Sequence, residues 1–117
     1  MPSSSLSQLT EKLIAFRDAR DWKQFHNPKD LATALSIEAS ELQEIFLWKN
    51  PKEVAAIVSK KQTHIKEEVA DIASFLLLLC HELEIDLVEA VSAKIEKNAA
   101  KYPVDKAKGT HAKYNEL

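Results

Sequence analysis

Glycine is almost absent from this chain: Gly109 is the only one in 117 residues, which also contain four prolines. Hairpins and tight turns depend on glycine, and sheets depend on runs of β-branched residues, which are few here. Apolar residues recur instead at the three-and-four spacing of amphipathic helices through nearly the whole sequence. The absences argue against a sheet, and the periodicity predicts an all-α fold.

Cysteine is also nearly absent, and the chain lacks long apolar runs and an excess of charge of either sign. The one cysteine, Cys80, lies in the apolar run 72–80, which excludes an internal disulfide and predicts a buried residue in a reducing compartment. That run is far shorter than the roughly 18 residues that suggest a membrane span, and residues 1–5 lack the apolar segment of a signal peptide. A net charge of −2 without basic clusters offers nucleic acid no attractive surface. We expect a cytoplasmic protein whose partners include neither a nucleic-acid polymer nor a membrane.

Capping side chains and prolines divide the chain into a bundle of four or five helices within a single domain, residues 1–117. In order, the expected helices run from the Ser5 cap to about 20, from the Asn27 cap to about 48, from the Asn50 cap over a short stretch, from about 62 to 83, and from the Asp86 cap to 102. Pro103 stops the last helix, and the tail 104–117 is expected to be irregular. A chain this short has difficulty enclosing a substrate alone, and residues 72–80 are apolar all round their helix, so we expect an oligomer.

Two pairs of acidic residues lie in the most apolar predicted helices: Glu38 with Glu41, and Glu68 with Asp71. Residues three apart share one helical face, and Glu38 and Glu68 fall within the apolar stripes of their helices, with Asp71 at the stripe edge. One such pair alone is weak evidence, because exposed helices often carry glutamates three apart. Two pairs facing one interior predict a shared cation, since an unpaired ionised carboxylate is costly in an apolar site.

The residue types favour a hard metal ion, with Mg²⁺ as the first choice and Mn²⁺ as the alternative. Magnesium prefers oxygen ligands and commonly shares its coordination shell with substrate phosphates. Soft metals would need thiolates or clustered histidines, and a ferritin-like site would need a Glu-x-x-His motif; the sequence has neither.

The last predicted helix places polar side chains on its apolar face, where Lys94 and Asn98 lie one turn apart. A cation and an amide in this arrangement suit phosphate oxygens that also bind a metal ion. The alternative is an exposed amphipathic helix with solvated lysines, and without the acidic pairs it would be the preferred interpretation.

Aromatic side chains gather around the second helix: Trp22, Phe25 and His26 precede it, and Trp48 ends it. Aromatic rings can hold a nucleobase between their faces. Taken alone, such rings more often pack in a core or a lid, and a lone loop histidine is more often structural than catalytic.

The two acidic pairs, with 26 residues between Glu41 and Glu68, resemble the signature of the MazG-like all-α nucleoside triphosphate pyrophosphohydrolases. Further stretches are similar to the dCTP pyrophosphatase branch of that family. These stretches are 17–28, 38–48, 67–71 and 94–103, with Gly109 and the pair Lys113 and Tyr114 in the tail. The likeness covers nearly the whole chain, and none of the four acidic positions departs from the pattern.

The resemblance implies hydrolysis of a nucleoside triphosphate to the monophosphate and pyrophosphate, by a homotetramer with sites between subunits. It implies that the metal ion is held by Glu38, Glu41, Glu68 and Asp71. It also implies two sets of substrate-binding residues. These are Trp22, His26 and Trp48 toward the nucleoside, and Lys94, Asn98 and Tyr102 toward phosphate or sugar.

We hypothesise that Mg²⁺ neutralises and orients the triphosphate while water attacks phosphorus, with Glu41 or Glu68 as the general base and Lys94 stabilising phosphate charge. The expected substrate is dCTP or a modified dCTP, and the expected role is housecleaning of the dNTP pool. Two alternatives stay open. One is a non-catalytic helical oligomer with structural cation sites, and the other is a dUTPase-like or broad nucleoside triphosphate pyrophosphatase on the same fold.

Overall fold

A computed structural model describes residues 5–117, which form helices and turns without any strand. The helices are α1 (Leu6–Ala19), α2 (Pro28–Phe46), α3 (Pro51–Lys60), α4 (Gln62–Glu82), α5 (Leu87–Lys101) and α6 (Val104–Ala107), with 3₁₀ turns at Lys23–Phe25 and Tyr114–Glu116. The all-α prediction is confirmed. The prediction about a signal peptide rests on residues 1–5, of which 1–4 lie outside the described residues.

Side-chain caps begin four of these helices at the residues that the sequence indicates. The caps are Ser5, Asn27, Asn50 and Asp86, and each accepts a hydrogen bond from a backbone N–H three residues later. Ser5 and Asn50 belong to reciprocal capping boxes, in which the third residue also bonds back to the cap. Each cap accepts a hydrogen bond from an N–H group that has no partner within its own helix, and such a cap contributes about 1 kcal/mol to stability.

Helix α4 begins differently, because across the described chain no side chain caps its first turn and it follows α3 directly. Lys61 ends α3 by donating its N–H to the Ile57 carbonyl, and its own carbonyl accepts from the Ile65 N–H. One residue is therefore shared between the last turn of α3 and the first turn of α4. The rotation of α4 about its axis is tied directly to α3.

The chain divides into two compact units, one extending to Glu84 and the other covering Ile85–Leu117. In the first unit α4 packs mainly against α2, and also against α1 and α3. The buried apolar side chains there are Leu31, Ile45, Leu77, Leu78 and Cys80. Cys80 is free and buried, as predicted, and burial raises the pKa of its thiol. Within residues 5–117, no helix has both the length and the hydropathy needed to cross a bilayer.

The second unit contains α5, α6 and the final 3₁₀ turn. Its tail is more ordered than expected, since the prediction of an irregular segment over 104–117 misses α6 and the turn Tyr114–Glu116. The rings of Tyr102 and Tyr114 meet edge to face with centroids 6.2 Å apart, and Lys101 Nζ lies 4.8 Å from the centre of the Tyr114 ring. These contacts attach the end of the chain to the end of α5.

Candidate functional site

The packing of α2 against α4 brings three of the four predicted metal ligands together. One carboxylate oxygen from each of Glu38, Glu41 and Glu68 lies within 4.8 Å of the others. Glu68 is buried, Glu38 is half-buried and Glu41 is exposed. Asp71, one turn after Glu68, is exposed and lies outside this group, although its charge acts on Glu38. We refer to Glu38, Glu41 and Glu68 as the carboxylate triad.

Two oxygen atoms of the triad, Glu38 Oε2 and Glu68 Oε2, are buried without a hydrogen-bond partner in residues 5–117. We call these two atoms the open oxygens. A buried polar atom that lacks a partner costs about 1–3 kcal/mol, and more when it carries charge. A divalent cation held by the triad would supply the positive partner that these carboxylates lack, and a set of carboxylate oxygens suits Mg²⁺ or Mn²⁺. The residues present therefore fit the hard metal ion that the sequence indicates.

The pKa of Glu38 indicates that the triad is short of positive charge. Burial raises the pKa of Glu38 to about 7, hydrogen bonding to Glu68 and Glu41 acts in the same direction, and so do the charges of Glu41 and Asp71. Such a hydrogen bond exists only while Glu38 holds a proton, whereas the open oxygens lack donors once both carboxyl groups are ionised. A proton bound to Glu38, or a metal ion, would relieve this repulsion.

His64 is a neighbour of the triad that the sequence reasoning missed. Its Nε2 lies 3.3 Å from Glu68 Oε1, one helical turn earlier on α4. The spacing of four residues is the signal that could have found it, because residues i and i+4 share a helical face. Glu68 therefore has a polar neighbour at one oxygen and an open oxygen at the other.

A second buried charge lies at the other end of α4 and was also missed. The Arg17 side chain is 2% exposed, and its Nη1 donates to Glu82 Oε1 at 2.8 Å while its Nε donates to Asp18 Oδ1 at 3.0 Å. This cluster already contains both signs of charge. It links the end of α1 to the end of α4 and needs no ion from outside.

The predicted nucleoside residues before α2 lie on a turn that α1 anchors. The Trp22 N–H donates to the Arg17 carbonyl, and the Trp22 ring meets Phe16 edge to face at a centroid distance of 5.8 Å. His26 is half-buried, and its Nδ1 is buried without a hydrogen-bond partner in the described part of the chain. Trp22 is thus held by its neighbours, while His26 has one buried ring nitrogen without a partner in the described residues.

Trp48 is the most exposed aromatic residue in the described part of the chain. Its side chain is 90% exposed, and its backbone has a φ of 66°, in the left-handed region that favours glycine. This conformation costs a residue with a side chain about 1–2 kcal/mol. A strained backbone at a residue whose ring is exposed points to a function outside the core, because the ring adds little to the packing of the protomer.

The remaining predicted residues belong to α5 and its end. Lys94 and Asn98 are exposed, which agrees with the amphipathic alternative within the protomer and leaves both available to a ligand or a partner subunit. Tyr102 is half-buried against Tyr114. Their contact with phosphate or sugar stays a prediction.

Comparisons with known proteins place these observations among relatives. The profile of the MazG-like family matches residues 33–117. The dCTP pyrophosphatase 1 proteins of Mus musculus and Homo sapiens are 35% and 33% identical over 118 residues, each covering 99% of this chain and 69% of the relative. The crystal structure of a pyrophosphatase from Archaeoglobus fulgidus superposes with a TM-score of 0.81 at 42% identity, covering 84% of this chain and 92% of that one. The family match contains the carboxylate triad, and Trp22 and His26 precede it.

Proposed function

The chain belongs to the MazG-like family, and we propose that it hydrolyses dCTP or a modified dCTP to the monophosphate and pyrophosphate, with Mg²⁺ or Mn²⁺ as cofactor. Relatives named pyrophosphatases support nucleoside triphosphate pyrophosphohydrolase activity in general. The observation that carries the proposal is the carboxylate triad with its two open oxygens, because a cation would satisfy buried carboxylate oxygens that have no partner within residues 5–117.

The triad and Asp71 would hold the metal ion, which when bound supplies positive charge to neutralise the phosphate oxygens. Glu41 or Glu68 would accept the proton of the attacking water, whose oxygen forms a bond to phosphorus as the bond to the pyrophosphate oxygen breaks. Glu41 is the exposed member of the triad and so the more accessible to water. Lys94 would stabilise the charge on the departing pyrophosphate.

The nucleoside would be held by Trp22, His26 and Trp48, and its phosphates or sugar by Lys94, Asn98 and Tyr102. The exposed ring of Trp48 supports this assignment, since a nucleobase would cover the ring by stacking. The buried Nδ1 of His26 offers a polar contact of the kind that a base or sugar can satisfy. An apolar wall beside the sugar would favour deoxyribose, because a 2′-hydroxyl there would lose its hydrogen bonds.

We also propose a homotetramer in a reducing, cytoplasmic setting, where the enzyme would clear unwanted nucleotides from the dNTP pool. Support for assembly comes from the apolar side chains that α5 leaves exposed, including Val88 at 61% and Ile95 at 62%. Support for the compartment comes from Cys80, which is free and buried.

The direct test is turnover of a nucleotide panel. Purified protein would be incubated with each dNTP, dUTP and 5-substituted dCTP, with Mg²⁺ or with EDTA, and the products resolved by ion-exchange chromatography. We expect Mg²⁺-dependent formation of the monophosphate and pyrophosphate, fastest from a cytosine nucleotide. Diphosphate with orthophosphate, or no turnover, would overturn the proposal, and equal turnover of all substrates would indicate the broad pyrophosphatase.

A matched pair of variants on α2 separates the enzyme from a non-catalytic oligomer with a structural cation. Glu41→Gln removes a triad carboxylate, whereas Glu44→Gln removes an exposed carboxylate one turn later on the same helix. Loss of turnover in the first variant alone, with assembly and melting temperature retained, supports the enzyme. Loss of assembly with no activity to lose supports the structural alternative.

A further inference from the structure

We propose that His64 is a positioning residue for Glu68: it holds one carboxylate oxygen so that the other is directed at the cation. The inference rests on the proposed function, because it assumes that the triad binds a divalent ion. It concerns a residue outside the predicted metal and substrate sets.

The two oxygens of Glu68 have different surroundings. Oε1 lies 3.3 Å from His64 Nε2, and Oε2 is the open oxygen, buried with no hydrogen-bond partner in residues 5–117. The separation is slightly longer than a typical N–H···O hydrogen bond. The two atoms are in close contact without full hydrogen-bond geometry, and the His64 side chain is 51% exposed, so the ring is not locked in place by packing. An N–H donor held at Oε1 would leave Oε2, the buried oxygen without a partner, for the cation.

Glu68 has reason to need such support. A glutamate side chain has three rotatable bonds, and a ligand that must be ordered when the ion binds weakens the affinity. Residues that hold ligating side chains in place typically contribute 10–100-fold to metal affinity. The Glu68 side chain is only 12% exposed, so water cannot easily replace the imidazole as its partner.

The position of His64 makes the inference testable without damage to the core. His64 lines an open cleft of about 530 Å³ at the start of α4, together with Ser59, Lys60, Lys61, Gln62, Thr63 and Glu67. Substitution of a half-exposed side chain on the rim of an open cleft leaves no internal cavity. A change in metal affinity would therefore reflect the contact with Glu68 and not a loss of packing.

The experiment compares three variants of the full chain by titration with Mn²⁺ alone, using calorimetry and electron paramagnetic resonance. His64→Leu removes the donor, His64→Gln retains an N–H donor, and His81→Leu removes an exposed histidine from the last turn of the same helix. We expect His64→Leu to weaken Mn²⁺ binding about tenfold. The other two variants should bind within about threefold of the unaltered chain, and all melting temperatures in EDTA should agree.

Activity provides a second readout. For His64→Leu, we expect the Mg²⁺ concentration at half-maximal turnover to rise about tenfold, with kcat at saturating Mg²⁺ unchanged. Equal Mn²⁺ affinity in His64→Leu and the unaltered chain overturns the inference and leaves the proposed function intact. Equal weakening in His64→Leu and His64→Gln, or a lower melting temperature in EDTA, indicates a structural role and also overturns it.

The remaining outcomes separate the two proposals. If the unaltered chain binds no Mn²⁺, both the inference and the metal-dependent function are wrong. If it binds Mn²⁺ and His64→Leu weakens the binding, but no nucleotide is hydrolysed, the positioning role stands and the enzymatic proposal fails.

Discussion

Two of the glutamates on helix α4, Glu68 and Glu82, have contrasting neighbours. Near its end, Glu82 binds the buried Arg17, which also binds Asp18, so the negative and positive charges meet within the chain. In its first half, Glu68 faces the carboxylates of Glu38 and Glu41, and its remaining polar neighbour is the imidazole of His64. The Arg17 cluster is complete as folded, whereas the carboxylate triad needs a proton or a cation. The same residue type therefore joins two helices at one end of α4 and, in the proposed function, binds a cation near the other.

The largest expected difference between the two glutamates is in catalysis. Glu68→Gln should reduce kcat/KM about a thousandfold, or about 4 kcal/mol, because it removes a charge that holds the metal ion. Glu82→Gln, its control on the same helix, should stay within a few-fold of the unaltered enzyme. Steady-state kinetics at saturating Mg²⁺ measures both. Equal losses in the two variants would contradict the division of roles along α4.

The effects on stability should have the opposite order, with the larger loss at Glu82. Glu82→Ala leaves Arg17 buried with only the exposed Asp18 as a partner, and we expect a cost of about 2–3 kcal/mol, below the range for fully buried pairs because Glu82 is partly exposed. Urea unfolding with and without Mg²⁺ should show the same loss. The double variant Arg17→Met with Glu82→Met should recover most of it, since apolar groups of similar size often replace a buried pair without penalty. A loss that Mg²⁺ corrects would contradict this account.

The dependence of stability on pH should also distinguish the two clusters. The pKa of Glu38 rises from 4.5 to about 7 in the fold, so the folded protein binds this proton more tightly than the unfolded chain does. The stabilisation is complete below about pH 4.5 and is lost as the pH rises to about 7. In EDTA, the melting temperature should fall by a few degrees over this range relative to Glu38→Gln.

Addition of Mg²⁺ at pH 7 to 8 should restore the melting temperature of the unaltered chain, because the cation replaces the proton. Glu38→Gln should respond less. Identical pH profiles of the two proteins in EDTA would show that the triad does not control this transition.

The smallest effect is expected at Trp48, where the backbone is strained and no charged group is involved. Trp48→Gly should raise the free energy of unfolding by about 1 kcal/mol, because glycine adopts a positive φ without strain. The same change should raise KM for the nucleotide, since the stacking ring is lost. Trp48→Ala is the control, because it loses the ring and keeps a strained backbone. A gain in stability with unchanged KM would separate Trp48 from the nucleoside pocket.

Local signals predicted most of the fold. The caps at Ser5, Asn27, Asn50 and Asp86 were found because a cap involves residues only three apart. The prediction misses the short helix α6 because Pro103 both stops α5 and is the cap residue of α6. Proline also precedes helices readily, since its fixed φ suits a helix start and its missing N–H is not needed there.

The site could be predicted only where one helical face carried the information. Glu38 and Glu68 were conspicuous as acids within apolar stripes, and their proximity follows from the packing of α2 on α4. Asp71 was placed at a stripe edge, and the structure leaves it exposed outside the triad. The Arg17–Glu82 bond joins residues 65 positions apart, which periodicity cannot detect. His64 interrupts no apolar stripe, so only its spacing of four residues from Glu68 indicates the contact.

The shared residue Lys61 limits how the length of this chain can change during evolution. The spacing within α4 is fixed as well: a single residue inserted between His64 and Glu68 would rotate Glu68 by about 100° about the helix axis relative to His64 and separate the two side chains. The exposed turn at 47–50 joins helices with independent ends, so extra residues there leave α4 in register. Relatives with a longer or shorter interval between their acidic pairs should therefore differ before α3, with the junction into α4 kept at constant length.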